Sequence, residues 1–344
     1  GSSQRMMQGM VLDSSAPLYG RSLEAFAVQP LSAGWIDKAL GLTSAVDVVS
    51  AYSVWGGIPR YWELAETFQA DLDGAVDALV LDPLGPLHRE PDRLLLEETP
   101  SAAALRPLLD VVGSGVHRLS EIAGRLGQPA TSLSRPLARL VDLGILQRDV
   151  PFGESEKTSR RALYRTGDPF FRFWFRIVAP RRAMLASAPR RARVSLWRRH
   201  RASLEAYTWE ALCRSALPAV FSAMNTGVNT AGHRAETTGL TWVPGQRWWH
   251  GTAAEWDVVS SSVDGGATLG GEVKWSASIV GDAEISRLCA ALLAKPWPSG
   301  LQSPARRVLF VPRVASRDAA ERAGVELVDA EQVVRAMGAA HDQE

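Results

Sequence analysis

Asp257, Glu272 and Lys274 have the types and spacing to do chemistry together. They sit in two short runs, Ala254 to Val259 and Gly270 to Trp275, on either side of Asp264-Gly265. Each run alternates polar and apolar residues with the period of a half-buried strand, and Asp-Gly signals a tight hairpin turn. With Asp264 and Gly265 as the central turn residues, opposed residues have numbers that sum to 529. Asp257 then lies opposite Glu272, and Glu255 opposite Lys274. These four side chains share one face, and Trp256, Val258, Val273 and Trp275 take the core side.

Opposed residues in an antiparallel pair have Cβ atoms roughly 4.5–5.5 Å apart, where like charges repel unless compensated. Mg2+ is the natural compensation, a hard ion held by one or two carboxylates plus water and phosphate oxygens. Lys274 would stand beside it, placed to orient a water or to stabilise charge developing on a phosphate. The plain alternative is a surface hairpin with solvated charges. The turn, the consistent faces and the apolar flanks favour a site.

Flanking elements must position this pair. Leu204 to Val220 reads as a helix before it and Ala283 to Ala294 as a helix after it, with strands at Arg307 to Val311 and Val325 to Val328. Asp followed by Glu-Val-Lys on successive strands resembles the PD-(D/E)xK nuclease core. The resemblance implies Asp257 and Glu272 as Mg2+ ligands, Lys274 as the catalytic lysine and Glu210, on the preceding helix, as an auxiliary acid. Trp256 stands where that motif has proline. Glu255, Gln246 and Arg247 are second-rank candidates.

With 344 residues, 46% of them hydrophobic, and a net charge of +1, the chain is long enough for two or three globular domains. Cys213 and Cys289 lie in expected helices without metal-ligand spacing, which suits buried thiols in a reduced, cytoplasmic protein. No apolar run reaches a membrane span and no signal peptide is seen. The charge is unevenly spread. Residues 61–100 carry ten acidic and two basic side chains, whereas 160–201 carry thirteen arginines and one acid, Asp168. Such a block wants an anionic partner, DNA above all, unless its arginines pair with the acidic stretch.

In the middle of the chain, Ala102 to Val112, Leu119 to Leu126 and Ala130 to Leu143 read as three helices, the last stopped by Gly144. The second and third, joined through Gly127-Gln128-Pro129, make a helix-turn-helix. Ile145 to Val150 and Ala162 to Arg165 add a hairpin, giving a winged helix. Its third helix would present Thr131, Ser132, Ser134, Arg135 and Arg139 to DNA while Leu133, Leu137 and Leu140 face the core. The wing would add Lys157, Arg160 and Arg161. The aromatic run from Asp168 to Arg176 reads as a buried junction, because so many aromatics exposed together would form too large an apolar patch. Arg181 to Arg201 reads as a basic linker.

Three further stretches resemble archaeal-type P-loop ATPases of the STAND class: Gly1-Ser2-Ser3 before an apolar-periodic segment, Pro17-Leu18-Tyr19-Gly20-Arg21, and Tyr52 to Trp62, where two glycines and a proline break one lid helix and start the next. The aromatic run fits the same family. The resemblance implies an ATPase core that this chain lacks, as cis or trans partner. A Walker A loop needs Gly-Lys-Ser/Thr, yet only Lys157 precedes a threonine, and Glu156 comes before it. ATP would be used only through the missing half, so no ATP hydrolysis is expected from this chain alone.

The expected fold is therefore an α/β multidomain chain of the α+β kind. An ATPase remnant and helical lid would span 1–100, a winged helix 101–167, an aromatic and basic junction 168–202, and a nuclease-like domain with a central mixed sheet 203–344. Its function would be DNA binding with Mg2+-dependent phosphodiester hydrolysis. The rivals are a catalytically inactive nuclease fold kept for docking, and a regulatory arm of an ATPase.

Overall fold

The computed structural model describes residues 14–15, 19–21, 28–98, 102–226, 239–304 and 306–339. The stretches Gly1 to Leu12 and Ala16 to Leu18, which carry part of the ATPase resemblance, lie outside them. The described chain is mixed helix and sheet, of the α+β kind.

Local chemistry sets the element boundaries. Helix α1 (Ala45–Trp55) ends at Gly56, and α2 (Pro59–Glu66) opens on a proline, whose missing N–H costs nothing in a first turn. Arg93 reaches Glu90 and Glu97 within α3 (Glu90–Glu98). After α4 (Ala102–Gly113), helix α5 (Leu119–Leu126) stops at Gly127, and α6 (Ala130–Asp142) follows with Leu133, Leu137 and Leu140 buried. Strands β1 (Leu146–Asp149) and β2 (Leu163–Thr166) pair antiparallel. Next come α7 (Arg190–Thr226), β3 (Gln246–Trp248), β4 (Trp256–Ser261), β5 (Thr268–Val273), α8 (Asp282–Ala294), β6 (Arg306–Phe310), β7 (Glu326–Val328) and α9 (Ala330–Ala339).

Packing gathers these elements into two compact units, both discontinuous in sequence. The first comprises 1–31, 71–149 and 162–199; the second comprises 32–70, 150–161 and 200–344. The expected linear division keeps apart segments that packing joins.

In the first unit the aromatic run is core. Phe170, Phe171, Phe173, Trp174 and Phe175 are buried, and Asp168 caps the run by accepting from the Phe171 N–H at 2.9 Å. The arginine block is largely answered from within. Arg193 grips Asp77 at 2.7 Å and Asp82 at 2.8 Å, Arg198 meets Asp73 at 2.7 Å, and Arg182 and Arg106 converge on Asp92 while flanking the Trp174 ring. The pairing of these arginines with the acidic 61–100 stretch weakens the inference from bulk charge to an anionic partner.

Arg190 to Arg201, expected as a linker, is helical. Arginine is a good helix former, and no glycine or proline interrupts the chain from Arg190 to Leu217.

The second unit is built on a five-stranded sheet in the order β3-β4-β5-β6-β7, antiparallel as far as β5 and parallel thereafter. Helix α8 connects the parallel strands β5 and β6 and packs Ile285, Leu288, Cys289 and Leu292 against Val259, Leu309 and Val311. On the other face, Gly245 lies close to both Val258 and the Arg214 backbone of α7. Both faces are thus covered, which corrects the expectation of a half-buried hairpin. Trp256 also leaves the face of Val258. The β3–β4 register shifts between Gln246 and Trp248, and Trp256 joins Val259 over Gly270, where a side chain on residue 270 would strike the Trp297 and Trp256 rings.

One prediction tests the internal pairing of the first unit. Asp77 is 4% exposed, so Asp77→Ala leaves Arg193 without its closest partner; stability should fall by about 3 kcal/mol. Urea unfolding should show the midpoint drop at an unchanged slope.

Candidate functional site

The register expected from the sequence is the register observed. Val258 pairs with Gly271, Val259 with Gly270, Ser260 with Leu269 and Ser261 with Thr268. The turn chemistry differs. A loop from Val263 to Gly266 links Ser262 and Ala267, with the Gly265 N–H bonded to the Ser262 carbonyl and Gly265 at a φ of 73°. Because this loop is centred on the same Asp264-Gly265 pair, the opposed residues are unchanged.

Continuing that register sets Asp257 against Glu272 at the end where the ladder stops. There the Val273 N–H donates to Asp257 Oδ2 at 3.0 Å, so the carboxylate takes over a strand's role as acceptor. Burial first, and the charge of Glu272 second, push Asp257 from an ordinary value of 3.8 up to about 6; Glu210 on α7 adds to the rise. Burial works the same way on Glu272, but hydrogen bonds from Lys274 and Lys295 outweigh it and hold this carboxyl below its usual range. Lys274 Nζ donates to Glu272 Oε1 at 2.8 Å. Although burial opposes it, that bond and the charges of Glu272, Asp257 and Glu210 raise the lysine and keep it protonated.

Two expectations need correction. Glu255 does not meet Lys274: it precedes β4 and pairs with Arg247 at 3.1 Å, because the register shift at Trp256 ends the alternation before reaching it. Of the other second-rank candidates, Gln246 is exposed on β3 and pairs with Val259, away from the acidic pair. The wing residues do not project alone either. Residues 150–161 belong to the second unit, where the Phe152 N–H donates to the Arg247 carbonyl at 2.8 Å and Trp249 Nε1 donates to the Arg161 carbonyl at 3.2 Å. Arg161 pairs with Glu154, while Lys157 and Arg160 are exposed. On α6, Thr131, Ser132, Ser134 and Arg135 are exposed and Arg139 is half-buried, with Ser132 Oγ turned to the Pro129 carbonyl.

Three residues of this site escape a reading of strand patterns. Lys295, just past α8, reaches Glu272 Oε2 with a side chain only 16% exposed. Its backbone is steadied by Trp256 Nε1, which donates to the Pro296 carbonyl at 3.0 Å. Glu205 on α7 takes hydrogen bonds from Ser50, Arg201 and Trp275, fixing the residue that follows Lys274. Arg214 links Glu210, at 3.5 Å, to the Asp257 carbonyl, at 3.2 Å. The one available sequence signal was scarcity: Lys274 and Lys295 are two of only four lysines.

A cleft of about 590 Å3 opens beside Glu272, lined also by Lys274, Trp275, Arg287, Leu288 and Lys295 among others. The donor chemistry fits a hard cation. Two carboxylates of adjacent strands interact here, burial and the charge of Glu272 drive Asp257 up, and the charge of Glu210 adds to that rise. Among the described residues no group of three or more His, Cys, Asp or Glu side chains is clustered as a ready-made cage. Cys213 and Cys289 are buried thiols.

Comparison with known proteins adds little to this geometry. An uncharacterized protein of Methanocaldococcus jannaschii is 30% identical over 181 residues, which is 52% of this chain and 40% of that protein. The chain therefore matches well under half the length of that relative. No protein-family model and no solved structure matches it. Among the described residues, no helix is long and apolar enough to cross a membrane.

The raised carboxyl has a pH signature. Folded Asp257 binds its proton more tightly than the unfolded chain does, so this group's contribution is present below about pH 4 and lost as pH rises through 6. In chelator, Asp257→Asn should therefore be more stable than the parent at pH 7.5, by up to about 3 kcal/mol, with the difference closing near pH 4. Denaturant titrations across that range measure it.

Proposed function

We propose that this chain is a DNA-binding module with a divalent-cation-dependent phosphodiester-cleaving site of the PD-(D/E)xK kind, working beside a P-loop ATPase half. The observation that carries this reading is the convergence of Asp257, Glu272 and Lys274 at one end of the β4–β5 ladder, in the register the motif requires. A mixed sheet with α7 before it and α8 within its parallel crossover agrees with such a core. The three helices and hairpin from Ala102 to Thr166 agree with a winged helix.

In this reading Asp257 and Glu272 hold Mg2+, which when bound supplies Lewis-acid polarisation and neutralises phosphate charge. The chain's own groups do the rest. Lys274, kept protonated by its acidic neighbours, donates to a water or to a non-bridging phosphate oxygen and stabilises the charge that builds there. Glu210 adds negative charge beside Asp257, and its pairing with Arg214 fixes where that charge sits. The cleft along α8, with Lys274, Lys295 and Arg287 on its walls, receives the phosphate backbone. With many of the arginines in 160–201 engaged by acids, the exposed face of α6 becomes the main candidate for duplex contact.

A second reading, a nuclease fold kept for docking, is favoured by one observation: both oxygens of Glu272 already carry a lysine. Incubation with plasmid and single-stranded DNA, in Mg2+, Mn2+ or chelator, separates the two. Cleavage is expected only with metal; Asp257→Ala and Glu272→Ala should abolish it with the fold retained. Lys274→Met should keep metal binding but lose rate. The nuclease reading is lost if the chain binds Mn2+ yet cuts no substrate with an ATPase half supplied. On the same DNA, Arg135→Ala with Arg139→Ala should weaken binding and flatten its salt dependence, each lost phosphate contact removing about 0.9 from the log–log slope.

A further inference from the structure

We infer that Lys295 is the resident counter-cation of the Asp257–Glu272 pair, and that a divalent cation gains Glu272 by displacing it. This rests on the metal reading above. Of the two lysines on Glu272, Lys274 is 45% exposed just past the end of the strand that carries Glu272, whereas Lys295 is 16% exposed and arrives from beyond α8. Lys295 Nζ also stands 4.9 Å from the centre of the Trp256 ring, an aromatic face that can hold an ammonium after it leaves a carboxylate. The anchor of Trp256 on the Pro296 carbonyl keeps ring, stem and carboxylate in one place.

Residue choice points the same way. Arginine supplies 34 of the 38 basic side chains, yet both cations on Glu272 are lysines. A guanidinium would grip the carboxylate with two parallel hydrogen bonds, while an ammonium is a compact charge on a flexible stem that can let go. Without metal, Lys295 answers the repulsion between the two carboxylates. With metal, the same lysine is released to the wall of the cleft, where it faces the incoming phosphate.

A salt bridge serving only to tie α8 to β5 would affect stability and leave metal affinity alone, so metal affinity is the measurement. Calorimetric titration of the full chain with Mn2+ would compare the parent with Lys295→Met and Lys295→Arg, with thermal melts in chelator and in saturating Mn2+. Loss of the competing cation should tighten Mn2+ binding in Lys295→Met about tenfold, within the range of coupled ligands. Its melting temperature should fall in chelator and approach the parent's in Mn2+. Lys295→Arg, which keeps the charge and serves if the methionine variant does not fold, should bind Mn2+ more weakly than the parent. If the parent binds Mn2+ and neither change is seen, the displacement idea alone is overturned. If no version binds Mn2+, the metal reading falls, and this inference with it.

Discussion

Two carboxylates set side by side where β4 and β5 part company repel each other, and much of the second unit around them answers that repulsion. The backbone gives Asp257 the Val273 N–H, two lysines neutralise Glu272, and Arg214 ties Glu210 to the Asp257 carbonyl. Burial and the charge of Glu272 still push Asp257 up to about 6. A folded protein retains such a cost most readily where the charge has work to do, since buried groups with strongly shifted proton affinity concentrate at functional sites.

The sheet carries this arrangement because its faces are covered unequally along the strands. Toward the turn, Val259, Ser260 and Leu269 are fully enclosed; at the opposite end the ladder stops short of Asp257 and Glu272, and the cleft along α8 reaches the Glu272 side chain. Gly270 lets the Trp256 and Trp297 rings lie directly on the strand, so the aromatic layer that positions Lys295 is packed against the site's own backbone. The geometry therefore depends on Gly270 as much as on the charged residues.

Much of this was legible in the sequence, and the failures have physical causes. Strand register followed from the position of Asp264-Gly265, because a loop lengthened symmetrically about one point leaves every pair intact. The three helices between Ala102 and Asp142 followed from periodicity, and the burial of the aromatic run from the cost of exposed aromatics. By contrast, Glu255 and Trp256 were misplaced because a bulge breaks a period of two and leaves no composition signal. Lys295 was missed because its contact with Glu272 spans a helix, and strand patterns record only neighbours across a ladder. For the arginine block both an anionic partner and pairing with the acidic 61–100 stretch stayed open, because local charge counts cannot single out Asp73, Asp77, Asp82 and Asp92 as its partners.

Cation occupancy of the carboxylate pair is the central claim, and anomalous diffraction from Mn2+-soaked crystals reads it without reference to activity. The account predicts a single strong peak within coordinating distance of oxygens of both Asp257 and Glu272, with Lys295 drawn off Glu272 toward Trp256. A peak elsewhere, or none with Lys295 still bonded to Glu272 at saturating Mn2+, would contradict it.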